Sequence, residues 1–324
     1  MTAEAHKGRR GPSGGFYFGP RREGDERTLG EHLTALLDDG LVTARKAEYE
    51  ATRGSGEGAV AKKRIGAGYI GTECGRALAF KFHKAPVEER PSVVSPGALQ
   101  RHAEAGHWTE DSTAEWLRLA GFELLTEKLD DQGQPIIGHN GKPLQHGFKA
   151  ARDRVTGQFQ LAGEVDGIIT RVPDALIYQL GDKLPMVWES KKATAKKFKA
   201  FSSKGVKAAD PKYHGQVQTT MAYMDIRFCL FSMLNLDNMD YYWELIAFDG
   251  AVAQQLTDRA VRILESQSPE EMPRITADPN DFRCKFCDYK DRCWSSSSEP
   301  AGSGVPKPSW LQSDAASPPE RSLS

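Results

Sequence analysis

No stretch of the 324-residue chain approaches the roughly 18 uninterrupted apolar residues that a spanning helix needs. The N-terminal MTAEAHKGRRGPSGG carries basic residues with no apolar region after them, so no secretory route is expected. Cysteine is scarce: five residues, unevenly spaced, are too few for a disulfide framework and point to a reducing cytoplasm. In that setting, clustered cysteines become candidate metal ligands. Neither a collagen-like nor a coiled-coil pattern is present, nor any repeat at a solenoid period. An excess of one charge is lacking too, with 43 Lys+Arg against 44 Asp+Glu.

What is present, 39% apolar and 27% charged residues, is the composition of a soluble globular protein. Residues 295–324 contain ten Ser, five Pro and two Gly, too little apolar surface to offset the entropy of ordering them. Trp310 and Leu311 are their only adjacent bulky apolar pair. Residues 1–26 read the same way, which leaves one α/β domain over 27–294 between two disordered tails.

Thr28-x-x-Glu31 has the spacing of a capping box, and Leu29, Leu33, Leu36 and Leu37 then repeat at helical spacing up to Gly40. After a Gly-rich break at 54–58, residues 65–82 predict a turn and a helix, and residues 97–120 predict a broad helix stopping at Gly121. From Phe122 the pattern changes to strand-like runs: FELLTEKL, FQLAGEVDGIIT, ALIYQL and PMVWESKK. Helical spacing returns at Tyr213, Val217, Met221 and Met224. Strands follow in FCLFSMLNL and YYWELIAF, then a helix through Val252, Leu256, Ala260 and Ile263. The expected architecture is a central mixed sheet flanked by helices.

Gly163-Glu164-Val165-Asp166-Gly167 and Trp188-Glu189-Ser190-Lys191 are the most informative segments. Alternate side chains of a strand share a face, so Glu189 and Lys191 project together while Ser190 offers its carbonyl oxygen. Asp166 on a neighbouring strand could join them. Two carboxylates and a carbonyl are hard oxygen ligands suited to Mg2+ or Mn2+, which would polarise a phosphodiester while Lys191 orients water or stabilises the transition state. On spacing alone a strand-edge salt bridge is the commoner explanation of such a cluster.

GEVDG with WESKK, an upstream acid-bearing helix and a downstream Gln-bearing helix resembles the PD-(D/E)XK nuclease superfamily over roughly residues 65–294. Gly106-His107-Trp108-Thr109-Glu110 is similar to the Gly-x-x-x-Glu helix of lambda-exonuclease and YqaJ-type phage recombinases, which implies Glu110 as a further, water-mediated metal contact. RecB-type members use a His from that helix, so His102 and His107 compete with it. The family's Gln-x-x-x-Tyr helix corresponds to Gln216 with Thr220 in place of the tyrosine. Gln216, Thr220 and Tyr223 share one helix face, Tyr223 is equally a core residue, and Gln218 points elsewhere. The resemblance implies a DNA exonuclease of phage-type recombination, replication or repair, acting in the cytoplasm (a host's, if phage-encoded), with DNA and an annealing or recombination protein as partners and no membrane. A non-catalytic DNA-binding protein and a structure-specific endonuclease are the alternatives.

Cys284-x2-Cys287-x5-Cys293 puts three thiolates close together. Cys74 is the better fourth ligand, because Cys229 lies in the apolar run FCLFSML. Zinc and a 4Fe-4S cluster both accept four cysteines. One early cysteine followed by an Arg, with a terminal Cys-x2-Cys-x5-Cys, resembles the iron-sulfur exonucleases of the AddB and CRISPR-adaptation type. It implies a 4Fe-4S cluster on Cys74, Cys284, Cys287 and Cys293 that joins the front of the domain to its end, with Zn2+ as the alternative.

Residues 191–212 hold eight lysines and one acid, Asp210. Directly downstream of the acidic cluster, Lys192, Lys196, Lys197 and Lys199, followed by Lys204 and Lys207, are expected phosphate contacts. Phe198 and Phe201 are expected to bury this segment against the core rather than stack on bases. Arg76 is expected to give a second phosphate contact.

Overall fold

The computed structural model describes residues 28–53, 64–88, 94–138 and 141–295. The Gly54–Gly58 break, the 1–26 tail and the Trp310-Leu311 pair lie outside the described residues. Contacts divide the chain into two compact units, Met1–Glu57 with Pro91–His107 and Gly58–Arg90 with Trp108–Ser324.

In the first unit, helix α1 spans Leu29–Arg53. The capping box forms, with Glu31 N donating to Thr28 Oγ1 at 3.3 Å and Thr28 N to Glu31 Oε2 at 2.5 Å. The helix does not stop at Gly40, because a lone glycine costs only about 1 kcal/mol and the 41–53 segment is rich in Ala, Glu, Lys and Arg. Arg45 reaches Glu104 at 2.6 Å and Glu48 at 2.9 Å.

In the second unit, β1 (Ile65–Gly66), α2 (Ala67–Ile70) and α3 (Gly75–Phe82) follow one another. The long helix α4 (Pro96–Leu119), of which residues 108–119 belong to this unit, ends as its sequence predicts. Strands β2 (Glu123–Leu125), β3 (Gly147–Arg152), β4 (Phe159–Glu164) and β5 (Gly167–Arg171) come next. FQLAGEVDGIIT is thus two strands broken at Val165-Asp166, and β3 was not anticipated. ALIYQL is helical, not a strand: a 3-10 turn at Asp174–Leu176 runs into α5 (Ile177–Leu180). Its leucines face a core as a helical stripe, which a short apolar run does not distinguish from a strand.

The remaining elements are β6 (Met186–Ala193), α6 (Ala195–Ala209), α7 (Pro211–Met224), β7 (Phe228–Asn235), β8 (Tyr241–Ala247), α8 (Gly250–Glu265), α9 (Phe282–Lys285) and α10 (Lys290–Ser295). The five-stranded sheet has the order β2-β5-β6-β7-β8 and is mixed: β6 and β7 are parallel and the other pairs antiparallel. A second sheet has the order β1-β4-β3.

Helices flank the larger sheet, giving an α/β fold. Phe201, Val206, Val217 and Met221 from α6 and α7 bury one face with Phe231 and Met233. Ala114 and Leu117 of α4 bury the other with Met186, Trp188 and Leu230. The smaller sheet packs with α2, α3 and α8 around Ile65, Ile70, Leu78, Leu161 and Leu256.

Two glycines set the approach of α2 to α7. A Cβ on Gly215 would lie 2.6 Å from Gly71 Cα, and one on Gly71 would lie 2.5 Å from Lys212 O. Backbone therefore touches backbone there, one residue from Gln216.

Candidate active site

Strand β6 carries Glu189 and Lys191 on the face covered by α7, as the alternation of its side chains requires. Asp166 lies in the short link between β4 and β5, where β5 pairs with β6 through Gly167 and Trp188. Its Oδ2 accepts from Ser190 N at 2.6 Å, which fixes the carboxylate beside the β6 strand. Lys191 Nζ donates to Glu189 Oε1 and, at 2.8 Å, to Ser190 O, and it stands 3.7 Å from Asp166 Oδ2. The lysine's own ammonium thus sits among the three oxygens expected to face a divalent ion.

Gln216 of α7 donates from Nε2 to Glu189 Oε1 at 2.5 Å. Glu189 is 1% exposed, and its second oxygen, Oε2, is buried with no hydrogen-bond partner among the described residues. Burial raises the Glu189 carboxyl above its usual range; Lys191 opposes this and Asp166 adds to it. For Lys191, burial works against the charge, but Glu189 and Asp166 outweigh it and hold the ammonium above its ordinary value. Glu110 joins the cluster from α4: burial first, then the Asp166 charge, push its carboxyl up to about 8. His102 and His107, its rivals, are exposed. Asp166, Glu189, Lys191 and Gln216 are therefore brought together, and Glu110 lies within electrostatic range of them without a contact to any.

One neighbour was missed. Tyr213, one turn before Gln216, places its ring 5.5 Å from Lys191 Nζ and 4.3 Å from Lys197 Nζ, so it lies between the site lysine and the lysine-rich helix. The i, i+3 spacing with Gln216 was the available signal. Gln218 points away, to Ala247 O and Asp249 N. Thr220 is buried, and Tyr223 stacks on Phe148 at 4.6 Å.

The expected phosphate contacts separate. Lys196 and Lys199 are exposed and Lys192 is half-buried. Lys197 is held by Asp210 at 3.1 Å and by the Tyr213 hydroxyl at 3.2 Å. Phe201 is buried and Phe198 packs against the same core. Arg76 corrects the expectation: it is 2% exposed and donates to the carbonyls of Met272 at 2.5 Å and Glu270 at 2.9 Å. Those interior bonds tie α3 to the segment after α8 and put the guanidinium beyond the reach of a phosphate.

Cys74, Cys284, Cys287 and Cys293 line one cavity of about 740 Å³, while Cys229 is buried in the core. Cys74 caps α3, its Sγ accepting from Ala77 N at 3.4 Å. Burial, with the neighbouring thiols of the group adding to it, pushes the Cys74, Cys284 and Cys287 thiols above their usual range. The C-terminal segment is anchored independently. Tyr289 stacks on Phe80 at 5.2 Å, Glu88 N donates to Asp288 O at 2.9 Å, and Arg292 N donates to Glu88 Oε1 at 3.0 Å.

Among the described residues, no group of three or more His, Cys, Asp or Glu side chains closes around a single ion position. The donor chemistry nevertheless fits a cation at each place. The acidic cluster has an orphaned buried carboxylate oxygen and three oxygens already gathered around a positive charge, and four thiols share one cavity.

No family model matches the chain, and no curated protein matches it. Among solved structures, an alkaline exonuclease (LHK-Exo) from Laribacter hongkongensis aligns over 62% of this chain and 86% of its own, with 15% identity and a TM-score of 0.36. The same protein in complex with dAMP aligns at 14% identity and a TM-score of 0.36. SSO0001 aligns over 81% of this chain and 96% of its own, with 13% identity and a TM-score of 0.41. Likenesses this loose carry no functional weight. No helix among the described residues is long and apolar enough to cross a membrane.

Proposed function

We propose that the chain is a Mg2+- or Mn2+-dependent deoxyribonuclease that hydrolyses phosphodiester bonds from DNA ends. The observation that carries this reading is the convergence of Asp166 and Glu189 on Lys191, with Glu189 Oε2 left unpaired in the interior. A purely structural salt bridge needs one carboxylate for one lysine. Asp166 and Glu189 both face the one Lys191 ammonium, one carboxylate more than its charge balances, and a divalent cation would take up the surplus.

In this reading Asp166, Glu189 and the Ser190 carbonyl hold the ion, and Glu110 contacts it through water. When bound, the ion would polarise the phosphodiester and offset charge on the leaving oxygen. Lys191 stays protonated, so its role is electrostatic: it orients water and stabilises negative charge developing at phosphorus. Gln216 holds Glu189 in place, and Tyr213 limits where Lys191 can swing. Exposed Lys196 and Lys199, with Lys192, supply sequence-independent phosphate contacts. Action from DNA ends is the part that rests on the superfamily resemblance.

Cys74, Cys284, Cys287 and Cys293 are proposed to hold a 4Fe-4S cluster, with Zn2+ as the alternative. Its role would be structural, adding to the anchoring by Tyr289 and Glu88.

The test is metal-dependent degradation of end-labelled linear DNA beside a covalently closed circle, for the native chain, Asp166→Asn and Lys191→Ala. Loss of linear DNA with Mn2+, none with EDTA, an intact circle and inactive variants are expected. A degraded circle points to an endonuclease, and DNA binding without turnover points to a non-catalytic binding protein.

A further inference from the structure

Arg259 of α8 is an interior cation that meets no carboxylate among the described residues. Its side chain runs from α8 to the segment between α2 and α3, where Nη2 donates to Ile70 O and Nη1 to Glu73 O, the latter at 3.3 Å. Its aliphatic stem lies on Gly75: a Cβ there would stand 3.5 Å from Arg259 Cδ. These contacts fall on both sides of Cys74 in sequence, so the guanidinium and the thiol share one short stretch of backbone. Nε is buried with no hydrogen-bond partner among the described residues. Burial weighs most heavily against the charge, Cys74 favours it, and the neighbouring Arg262 opposes it.

A guanidinium does not give up its proton in a protein, and a charge left unpaired in the interior is among the costlier features a fold can carry. Clamping two carbonyls does not require it, since a neutral amide donates as well. The charge itself needs an account. The source of negative charge at hand is the cavity of about 740 Å³ shared by Cys74, Cys284, Cys287 and Cys293. Cysteine binds metal as thiolate. Four thiolates outweigh a divalent ion, so the loaded centre is anionic where four thiols are neutral. A second guanidinium stands at the same cavity: Arg274, 6% exposed, lines it and donates to Cys293 O at 2.6 Å. Arg283, which also lines it, is spent on Asp281 at 2.7 Å.

We propose that Arg259 is the counter-ion of the four-cysteine metal centre, and that its bonds to residues 70 and 73 hold that charge beside Cys74. The proposal rests on the metal reading of the cysteines and adds to it a positioning residue outside the ligand set. Groups just beyond the ligands of a metal set how firmly it is held and at what potential it is reduced. Charge compensation and carbonyl clamping make different demands on the side chain. Arg259→Lys keeps the charge and gives up the two-pronged bond, while Arg259→Gln keeps an N–H donor and gives up the charge. Arg262, the neighbouring cation exposed on α8, is the control.

The experiment uses the full chain purified without oxygen, with its metal in place. Release of that metal to an excess of a chromophoric chelator is followed for the native protein, Arg259→Gln, Arg259→Lys and Arg262→Gln, with a melting curve for each. Arg259→Gln should release metal at least about tenfold faster, whereas Arg259→Lys should stay within about threefold of native. Arg262→Gln should match the native protein. In an iron-sulfur centre the reduction potential should also fall in Arg259→Gln and hold in Arg259→Lys, because a cation favours the more negative, reduced state. Equal release from the native protein and Arg259→Gln would overturn the proposal. So would release from Arg259→Lys as fast as from Arg259→Gln, the mark of a clamp alone. If Arg259→Gln does not fold, the lysine variant decides: native-like release supports the counter-ion, and release about tenfold faster rejects it. A native chain that carries neither zinc nor iron rejects the cysteine site and the proposal with it, whereas metal held firmly whatever the charge at 259 rejects Arg259 alone.

Discussion

Gln216 on α7 grips Glu189 on β6, Nε2 to Oε1 at 2.5 Å, although 27 residues separate them in sequence. The contact depends on the glycine crossing one residue away, where Gly215 and Gly71 bring α7 and α2 together. Gln216 is thus a positioning residue: it uses one oxygen of Glu189 and leaves the other for a cation. Gln216→Ala should lower metal affinity and turnover by about 10- to 100-fold with little loss of stability. Mn2+ titration of the nuclease rate checks this, and an unchanged metal requirement would show that the bond is only structural.

Lys191→Ala removes the charge at the centre of the cluster. Turnover should fall by about 10³-fold or more. Glu189 is left buried without its partner, a change that costs about 3 kcal/mol where buried pairs are broken. Adding Mn2+ should restore much of the lost melting temperature without restoring turnover. Full turnover in the variant would end the assignment, and a melting curve indifferent to Mn2+ would count against the metal site.

Much of this cluster was legible because it obeys a local rule. Alternation along WESKK puts Glu189 and Lys191 on one face, and Asp166 sits at the Gly-flanked link where two strands meet. Glu110 and Gln216 required a family pattern, since nothing local to either helix says which face meets the sheet. The errors were of the opposite kind. Arg76 sits beside a cysteine in sequence, but its guanidinium is spent on carbonyls from residues almost two hundred positions away, and no local pattern encodes that. ALIYQL failed because five apolar residues in six fit either a strand or one turn of helix.

The cysteine cavity yields a compositional prediction. Protein purified without oxygen should carry iron and sulfide, or zinc in their place. Cys74→Ser, Cys284→Ser, Cys287→Ser and Cys293→Ser should each lose the metal. Cys229→Ser, a change in the buried core, should keep it. Elemental analysis and the visible spectrum read the outcome; a metal-free native protein, or metal retained by the four variants, would reject the site. Because Tyr289 and Glu88 anchor the segment on their own, the variants should still fold at lower stability.

His214, buried in α7 one residue from the glycine crossing, predicts how stability responds to acid. Its Nδ1 has no hydrogen-bond partner among the described residues, and burial, with Lys207 adding to it, lowers the imidazole to about 4. An unfolded chain binds that proton near the ordinary value of about 6.5. Between those values the unfolded state carries more protons than the folded one, so stability rises with pH across this window and falls on acidification. The full effect, reached below about pH 4, is about 3 kcal/mol. His214→Leu should remove this component. Urea unfolding of native and variant chains at pH 4.5 and pH 7.5 isolates it, because every other titrating group is common to both. The native protein should lose about 2–3 kcal/mol more than the variant between the two pH values; parallel losses would mean that the imidazole finds a proton partner in the folded state.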